Sequence, residues 1–160
     1  MSAAIANTGF AFGDMRAGDI SEIASIEAES YEFPWTAGIF RDCLKASYRC
    51  RVLRDAGGIV AYGILSAEGQ EAHILNLCVR SPLQRCGYGR RMLAHLLEFA
   101  VAAGCRRVWL EVRRSNRPAV RLYRAAGFEH VGIRRGYYRA PGGREDALVL
   151  ALGLDAGDPG

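Results

Sequence analysis

The chain has 160 residues, of which 50% are hydrophobic, and a formal net charge of +4. This predicts one globular domain with its own core, and no stretch approaches the roughly 18 apolar residues of a membrane span. The N-terminus lacks the basic start and apolar run of a secretion signal. Five scattered cysteines without a Cys-x-x-Cys pair argue against a disulfide framework and against a metal site of the zinc type. The cytoplasm is therefore the expected compartment.

The charge is distributed unevenly along the chain. Residues 1–79 carry six basic and ten acidic groups, whereas residues 80–144 carry fifteen arginines and three glutamates, a net charge of +12. The middle segment is therefore expected to attract an anion. We do not expect that anion to be a nucleic acid, because the arginines are spread over several elements and aromatic residues do not alternate with them.

Hydrophobic periodicity predicts a mixed order of strands and helices in the first half of the chain. In chain order, the predicted elements are a strand at 10–15, a helix at 19–30, a helix at about 36–46, a hairpin with strands at 49–54 and 59–66, and a strand at 72–79. Asp19 or Ser21 is the expected N-cap of the first helix. Phe33-Pro34-Trp35-Thr36 separates the two helices, and the hairpin is expected to turn at Ala56-Gly57-Gly58.

The second half continues the alternation and completes a single mixed α/β domain. Its predicted elements are a helix at about 87–103, a strand at 108–112, a short helix from about 116 to 127, and a closing strand pair at 128–135 and 145–152. A loop rich in Gly, Tyr and Pro is expected to join this last pair. The domain is expected to span residues 10–152, with a flexible start at 1–9 and a disordered tail at 153–160.

A basic glycine turn lies between a predicted strand and a predicted helix. It reads Gln84-Arg85-Cys86-Gly87-Tyr88-Gly89. Glycine lets the backbone approach a ligand closely, and a helix start offers unpaired N–H groups and partial positive charge. It is not the dinucleotide fingerprint, because Met92 stands where a third small residue is expected, and no Gly-Lys-Ser/Thr follows. The turn thus predicts a phosphate site, although an ordinary tight turn before a solvated basic helix would look similar.

Glu111 is the first candidate for chemistry. It shares a strand face with Trp109 and Arg113, while Val108, Leu110 and Val112 take the other face. A carboxylate in an apolar strand is costly unless it is solvated or paired, and partial burial would suit it to act as a general base. The structural alternative is a pair with Arg113 or another arginine on an exposed face.

Tyr123 and Asn116 belong to the short helix. Tyr123 lies beside the apolar stripe of that helix, so it is either half-buried core or a phenol that protonates a leaving group. Asn116 stands at the helix start, where an N-cap is the ordinary role. His73 and His95 are predicted to be surface residues without a role.

Several short sequence segments occur along the chain in an order that is typical of one protein family. They are Phe33-Pro34-Trp35, Asn76-Leu77-x-Val79, Gln84 to Gly89, Trp109-Leu110-Glu111-Val112-Arg113-x-Ser115-Asn116, Leu122-Tyr123, Gly127-Phe128, Arg134-Arg135-x-Tyr137-Tyr138 and Gly143-Arg144-Glu145-Asp146-Ala147. Over residues 10–152 the chain resembles the GCN5-related N-acetyltransferase (GNAT) superfamily, whose pyrophosphate motif is Gln/Arg-x-x-Gly-x-Gly/Ala. It resembles more closely the ribosomal-protein-alanine N-acetyltransferases (RimI type), which acetylate a protein's N-terminal amine.

The resemblance implies a fold, a cofactor and site residues. The fold would be a central mixed sheet of about seven strands flanked by about four helices, with splayed central strands that hold acetyl-CoA. The implied cofactor-binding residues are Leu77, Cys78, Val79, Gln84, Arg85, Cys86, Gly87, Tyr88, Gly89, Arg90 and Asn116. Glu111 would be the general base for the incoming amine, and Tyr123 would protonate the departing thiolate.

The residues that would bind the acceptor of the acetyl group are the next expectation. An acidic, aromatic loop with Glu27, Glu29 and Tyr31, together with Glu32, Phe33 and Trp35, is expected to face Tyr137 and Tyr138 and to hold a basic peptide end. A solvated acidic helix face with Trp35 in the core is the alternative. The implied activity is direct acetyl transfer to an N-terminal alanine, with a ribosomal protein as partner. Two alternatives remain open: an acetyltransferase acting on a lysine or a small amine, and a non-catalytic acyl-CoA-sensing or ribosome-docking module.

Overall fold

The computed structural model describes residues 9–84 and 86–154, which form a mixed seven-stranded sheet and four α-helices. The strands are β1 (Ala11–Asp14), β2 (Arg49–Asp55), β3 (Gly58–Glu68), β4 (Glu71–Val79), β5 (Arg107–Arg113), β6 (Glu129–Ala140) and β7 (Gly143–Gly153). The helices are α1 (Ile20–Ser30), α2 (Ala37–Lys45), α3 (Tyr88–Ala102) and α4 (Arg117–Ala125). The predicted mixed α/β fold is confirmed, and every predicted strand and helix is present. The expected flexible start and disordered tail fall largely on 1–8 and 155–160, outside the described residues.

The strands follow the order β1-β2-β3-β4-β5-β7-β6 across the sheet. β4 and β5 run parallel, and their register pairs extend from Glu71↔Arg107 to His73↔Trp109. β5 continues to Arg113 and pairs along its whole length with β7 in antiparallel fashion. Within the described residues, the β4–β5 pairing therefore ends after three pairs, two residues before Glu111.

Two compact units make up the described chain. The first comprises residues up to 65 together with 76–96, and the second comprises 66–75 together with the residues from 97 onward. The core of the first unit includes Phe40 and Tyr62, whose rings meet edge to face at 5.7 Å. Gly63 lies where α3 packs on β3, since a Cβ there would stand 2.7 Å from Leu96 Cδ1. Glycine at this position thus permits a close helix–sheet approach.

The second unit is built around the alternation of β5. Val108, Leu110 and Val112 are buried, whereas Trp109, Glu111 and Arg113 are partly exposed. Because successive strand side chains point to opposite faces, the two sets lie on opposite sides of the sheet, as the sequence predicted. Among the described residues, no helix is both long enough and apolar enough to span a bilayer.

The predicted closing loop is much shorter in the structure. β6 extends to Ala140 and β7 begins at Gly143, so Tyr137 and Tyr138 lie in a strand and the loop prediction was wrong. The register shifts between Arg134 and Tyr138, as in a β-bulge, which re-aims side chains without ending a strand. Gly136 supports this irregularity with a φ of +59°.

The predicted capping role of Asp19 was also wrong in its detail. Asp19 occupies the N-cap position of α1 but its side chain makes no capping hydrogen bond. Its carboxylate instead accepts from Arg54 at 3.0 and 2.8 Å and from the backbone N–H of Arg16 at 2.8 Å. The hydrogen bond from Arg54 lowers the pKa of Asp19 below its ordinary value of 3.8.

This ion pair predicts an acid-dependent contribution to stability. Because the pKa of Asp19 is lower in the folded than in the unfolded chain, its stabilising effect is complete above the unfolded value and is lost as pH falls through the folded one. We expect Asp19→Asn to lower the melting temperature near pH 7, with the difference from wild type shrinking below about pH 4. Thermal unfolding followed by circular dichroism at both pH values measures this. Asp42→Asn, at an exposed position of α2, is the control, and an undiminished Asp19→Asn difference in acid would contradict the expectation.

Candidate active site

Glu111 lies at the centre of a charged and aromatic cluster in the second unit. Its side chain is 8% exposed; Oε1 is 2.8 Å from His73 Nε2 and Oε2 is 3.2 Å from Arg134 Nε. The His73 ring stacks on Trp109 with centroids 3.7 Å apart. Arg134 also lies near the Trp109 and Tyr137 rings, at 5.9 and 5.4 Å. Each carboxylate oxygen of Glu111 therefore faces a nitrogen of a different side chain.

The structural alternative for Glu111, a pair with Arg113 or another arginine, is met in part, because Arg134 Nε lies 3.2 Å from Glu111 Oε2. Arg113 donates to the backbone oxygen of Arg139 at 2.6 Å and to Glu145 Oε1 at 3.2 Å. The second oxygen of Glu145 accepts from the backbone N–H of Ser115 at 2.8 Å. Hydrogen bonds from Ser115, together with Arg113, lower the pKa of Glu145. The Arg113–Glu145 pair therefore orders the turn between β5 and α4.

Asn116 is the N-cap of α4. Its Oδ1 accepts from the backbone N–H of Ala119 at 3.3 Å, so the ordinary capping role holds. No acceptor for the Asn116 amide nitrogen is found among residues 9–84 and 86–154. The side chain can therefore cap the helix with its oxygen and donate to a ligand with its nitrogen.

The second unit that contains Glu111 also contains Tyr123, Tyr137 and Tyr138. Tyr123 is 6% exposed, and its ring meets Phe128 edge to face at 5.6 Å. Tyr137 and Tyr138 form an edge-to-face pair at 4.9 Å. Burial raises the pKa of Tyr138, and the charges of Glu111, Tyr137 and Tyr123 raise it further. Burial first, and Glu111 second, raise the pKa of Tyr137. Glu111 thus lies within electrostatic reach of Tyr137 and Tyr138, and Tyr123 lies within electrostatic reach of Tyr138.

The glycine turn of the first unit has the backbone of a helix start. The backbone N–H of Arg91 donates to Gly87 O at 3.1 Å, so the N–H groups of Tyr88, Gly89 and Arg90 precede the first helical bond and lack a helical acceptor. Gly87 has a φ of +87°, and a Cβ there would meet nothing within 4 Å. Glycine is required by the backbone conformation, and the space beside it is open. These groups fit a diphosphate, while Arg85 lies outside the described residues.

The other predicted turn residues connect this start to β4. Gln84 Nε2 donates to Val79 O at 3.1 Å, and Cys86 Sγ lies 3.8 Å from Gln84 O. Gln84, Cys86 and Arg90 are exposed. The turn is thus hydrogen-bonded to the end of β4, and Arg90 is exposed.

The end of β4 is held by the last residues of α1 and the segment after it. Tyr31 OH donates to Leu77 O at 3.4 Å, and Cys78 Sγ lies 3.4 Å from Ser30 Oγ. Cys78 is 3% exposed, and burial raises the pKa of its thiol. A neutral buried thiol is a poor nucleophile. Leu77, Cys78 and Val79 can therefore serve a ligand through their backbone, but Cys78 is not placed to attack one.

Glu27 joins these elements in a way that the sequence reasoning missed. It is 3% exposed, so it is neither in an outward loop nor on a solvated helix face. Its carboxylate accepts from Tyr62 OH at 2.6 Å, Asn76 Nδ2 at 3.1 Å and the backbone N–H of Trp35 at 3.0 Å. A buried carboxylate needs such donors to remain charged. Glu27 therefore ties the 31–36 segment to β3 and β4 and cannot bind a peptide.

We expect Glu27→Gln to lower the free energy of unfolding by about 1–3 kcal/mol, because one oxygen becomes an NH₂ group facing donors. Chemical denaturation followed by fluorescence measures this. Glu29→Gln is the matched control, since Glu29 lies on the same helix and is exposed. Equal unfolding free energies for the two variants would show that the network adds no stability.

The predicted acceptor residues of the first unit lie between α1 and α2. Glu32 is exposed, whereas Phe33 and Trp35 are partly buried. The Trp35 ring packs on Phe40 at 5.3 Å, so the alternative that placed Trp35 against the core describes part of its role. Thr36 ends the segment by capping α2, its Oγ1 accepting from the backbone N–H of Ile39 at 3.3 Å.

The sequence pattern could have indicated the burial of two residues, His73 and Glu27. His73 falls on the same face of β4 as Leu77 and was predicted to be a surface residue, yet its side chain is only 20% exposed. Glu27 follows Ile23 by four residues and therefore shares its apolar helix face. His95, also predicted to be a surface residue, accepts from Arg51 Nε at 3.0 Å and stacks on Phe12 at 3.9 Å.

The fold is that of an N-acetyltransferase. Residues 20–128 match the profile of the Acetyltransferase (GNAT) family, and the chain belongs to this family. It is 37% identical over 134 residues to the ribosomal protein bS18-alanine N-acetyltransferase of Escherichia coli (strain K12), which covers 84% of this chain and 90% of that relative. The crystal structure of the Escherichia coli ribosomal-protein-S18-alanine N-acetyltransferase matches with a TM-score of 0.84 and 34% identity, covering 91% of this chain and 94% of that one. Arabidopsis thaliana NAA60 in complex with acetyl-CoA shares the fold, with a TM-score of 0.82, 17% identity and coverage of 91% and 99%.

Proposed function

We propose that this chain transfers the acetyl group of acetyl-CoA to the α-amine of an N-terminal alanine on a ribosomal protein. The observation that carries the proposal is Glu111, an ion-paired carboxylate that is 8% exposed and lies within electrostatic reach of Tyr137 and Tyr138. Tyr123 lies within electrostatic reach of Tyr138. The similarity to the alanine N-acetyltransferases supports the choice of acceptor. A ribosomal substrate would place the reaction in the cytoplasm.

Glu111 would act as the general base. An α-ammonium group has a pKa of about 8, so about a tenth of it is already neutral near pH 7, and a carboxylate suffices to remove the remaining proton. The proton moves from the amine nitrogen to a carboxylate oxygen, and the freed electron pair forms the new N–C bond. Lysine, with an ordinary pKa of about 10.4, would need a stronger base.

The first unit would hold the cofactor. Acetyl-CoA supplies the acetyl group as a thioester. The N–H groups of Tyr88, Gly89 and Arg90 would donate to its diphosphate, with Gln84, Arg85, Cys86 and Gly87 completing the turn. The backbone of Leu77, Cys78 and Val79 would pair with the pantetheine arm. A backbone N–H group of this segment would stabilise the negative charge that develops on the thioester oxygen.

Tyr123 would act as the general acid. The departing thiolate needs a proton, and a phenol in the cluster of Glu111 can donate it. Asn116 would donate its amide nitrogen to the cofactor. Direct transfer is consistent with the state of the two nearest thiols. Burial raises the pKa of Cys78, and the Cys86 thiol lies 3.8 Å from the backbone oxygen of Gln84, which is not a base. The acetyl group would therefore pass to the amine without an acyl-cysteine.

The acceptor end of the site would use aromatic and acidic residues. Tyr137 and Tyr138 would contact the backbone of the first peptide residues, since both phenols remain neutral when burial raises their pKa. Phe33 and Trp35 would pack against the side chain of the N-terminal alanine. Glu32 would pair with a basic residue further along the peptide.

A thiol-release assay with matched peptides tests this proposal. One peptide has a free N-terminal alanine, and its partner has the same sequence with a blocked N-terminus and an internal lysine. We expect release of coenzyme A with the first and very little with the second. Comparable turnover of the lysine peptide with none on the free alanine would favour a lysine acetyltransferase. Binding of acetyl-CoA without turnover of any amine would favour a sensing module.

A further inference from the structure

Strand β6 has an irregularity beside the two tyrosines that are proposed to contact the acceptor peptide. In the β6–β7 register, Arg134 stands opposite Ala147 and Tyr138 stands opposite Glu145, so β6 advances four residues where β7 advances two. β6 therefore has two residues in excess at this point, as in a β-bulge. Bulges re-aim side chains and are frequent next to active sites. This one lies directly after Arg134, whose Nε is 3.2 Å from Glu111 Oε2.

Two side chains of β7 bind the backbone of this bulge. Asp146 Oδ1 accepts from the backbone N–H of Gly136 at 2.9 Å. Arg144 Nε donates to the backbone oxygen of Gly136 at 2.7 Å, and Arg144 Nη2 lies 3.5 Å from the backbone oxygen of Tyr137. Gly136 has a φ of +59°, a conformation that glycine adopts at little cost. Asp146 and Arg144 thus fix the path of β6 immediately before Tyr137.

The bulge decides where the two tyrosines lie. Consecutive residues of a regular strand point to opposite faces, yet the rings of Tyr137 and Tyr138 meet edge to face at 4.9 Å. Both rings also have a cationic neighbour: Arg134 lies 5.4 Å from the ring of Tyr137, and Arg113 lies 4.4 Å from the ring of Tyr138. Both tyrosines are within electrostatic reach of Glu111. The departure from regular strand geometry is therefore what allows two consecutive tyrosines to lie together beside Glu111.

We propose that Asp146 is a positioning residue for the acceptor peptide. By accepting from the Gly136 N–H it holds the bulge, and the bulge keeps Tyr137 and Tyr138 together beside Glu111. Arg144 supports the same bulge through its carbonyl groups. This inference rests on the proposed role of the two tyrosines in binding the acceptor. It gives a function to the segment 143–147, which the proposed mechanism does not use.

Asp146→Ala and Asp146→Asn test the inference as a pair, because the alanine variant removes the hydrogen-bond acceptor whereas the asparagine variant retains an oxygen at the same place. We expect Asp146→Ala to lower kcat/KM for a free-alanine peptide by roughly 10-fold to 10²-fold, as when a binding group is misplaced by about 1 Å. The loss should fall mainly on the KM for the peptide, with an unchanged KM for acetyl-CoA, and Asp146→Asn should recover most of it. Glu129→Ala is the control, since Glu129 is exposed at the start of β6, and we expect wild-type constants.

Two kinetic results would overturn the inference when wild type is active on the alanine peptide. One is an unchanged peptide KM in Asp146→Ala. The other is an equal rise of both KM values together with a lower melting temperature, since this would show a purely structural role. Inactivity of wild type on the peptide would instead be a failure of the proposed function.

Amide hydrogen exchange tests the positioning contact without turnover. In the described β6–β7 register Gly136 has no partner residue, so protection of its N–H must come from Asp146. We expect slow exchange of this amide in wild type and in Asp146→Asn, and fast exchange in Asp146→Ala. Exchange of the Gly136 amide in wild type at the rate of an unprotected amide would overturn the inference, even if Asp146→Ala were too unstable to assay.

Discussion

Glu111→Gln is expected to lower kcat by roughly 10²-fold or more, as for loss of a general base, with little change in the KM for acetyl-CoA. Glutamine has the same shape, and its amide oxygen can still accept a hydrogen bond, so the cluster around it should stay packed. What it loses is the ability to take a proton from the ammonium. The loss therefore falls on turnover and not on cofactor binding.

Steady-state kinetics on a free-alanine peptide, with the melting temperature measured in parallel, separate these effects. Glu129→Gln is a suitable control, because Glu129 is exposed at the start of β6. A Glu111→Gln variant that lost stability and acetyl-CoA affinity as strongly as turnover would assign Glu111 a structural role.

Tyr123→Phe should lower kcat by roughly 10²-fold, the ordinary contribution of a general acid. The phenylalanine ring keeps the edge-to-face contact with Phe128, seen at 5.6 Å, so we expect the fold to be unchanged. The substitution removes the phenolic hydroxyl, and with it the proton that the thiolate would take. Without it the thiolate must depart as an anion or wait for a proton from water.

Single-turnover kinetics measure this step directly and separate it from product release. Tyr48→Phe is the control, because Tyr48 is 39% exposed in the first unit and has no assigned role. Wild-type single-turnover rates for Tyr123→Phe would remove this tyrosine from the mechanism. In that case Tyr138, which is partly buried and lies within electrostatic reach of Glu111, would be the next phenol to test.

Features that depend on local pattern were predictable. The alternation of Val108 to Val112 determined which face of β5 is buried, because side chains in any strand point to opposite faces in turn. The positive φ of Gly87 and the helix start after it followed from the glycine turn. Ends of elements were less predictable, as the length of β6 shows. The bulge near Gly136 depends on its pairing with β7, which local sequence does not contain.

The sequence by itself determined that Glu111 occupies the polar face of a central strand and that a glycine turn precedes α3. Only the tertiary structure decided what holds Glu111. His73 and Glu111 are 38 residues apart, and their contact exists because the β4–β5 register sets His73 against Trp109. Burial of Glu27 likewise required donors from three separate segments. Periodicity follows from the backbone of each element, whereas pairings of this kind depend on register and side-chain rotamers that arise only when the elements pack.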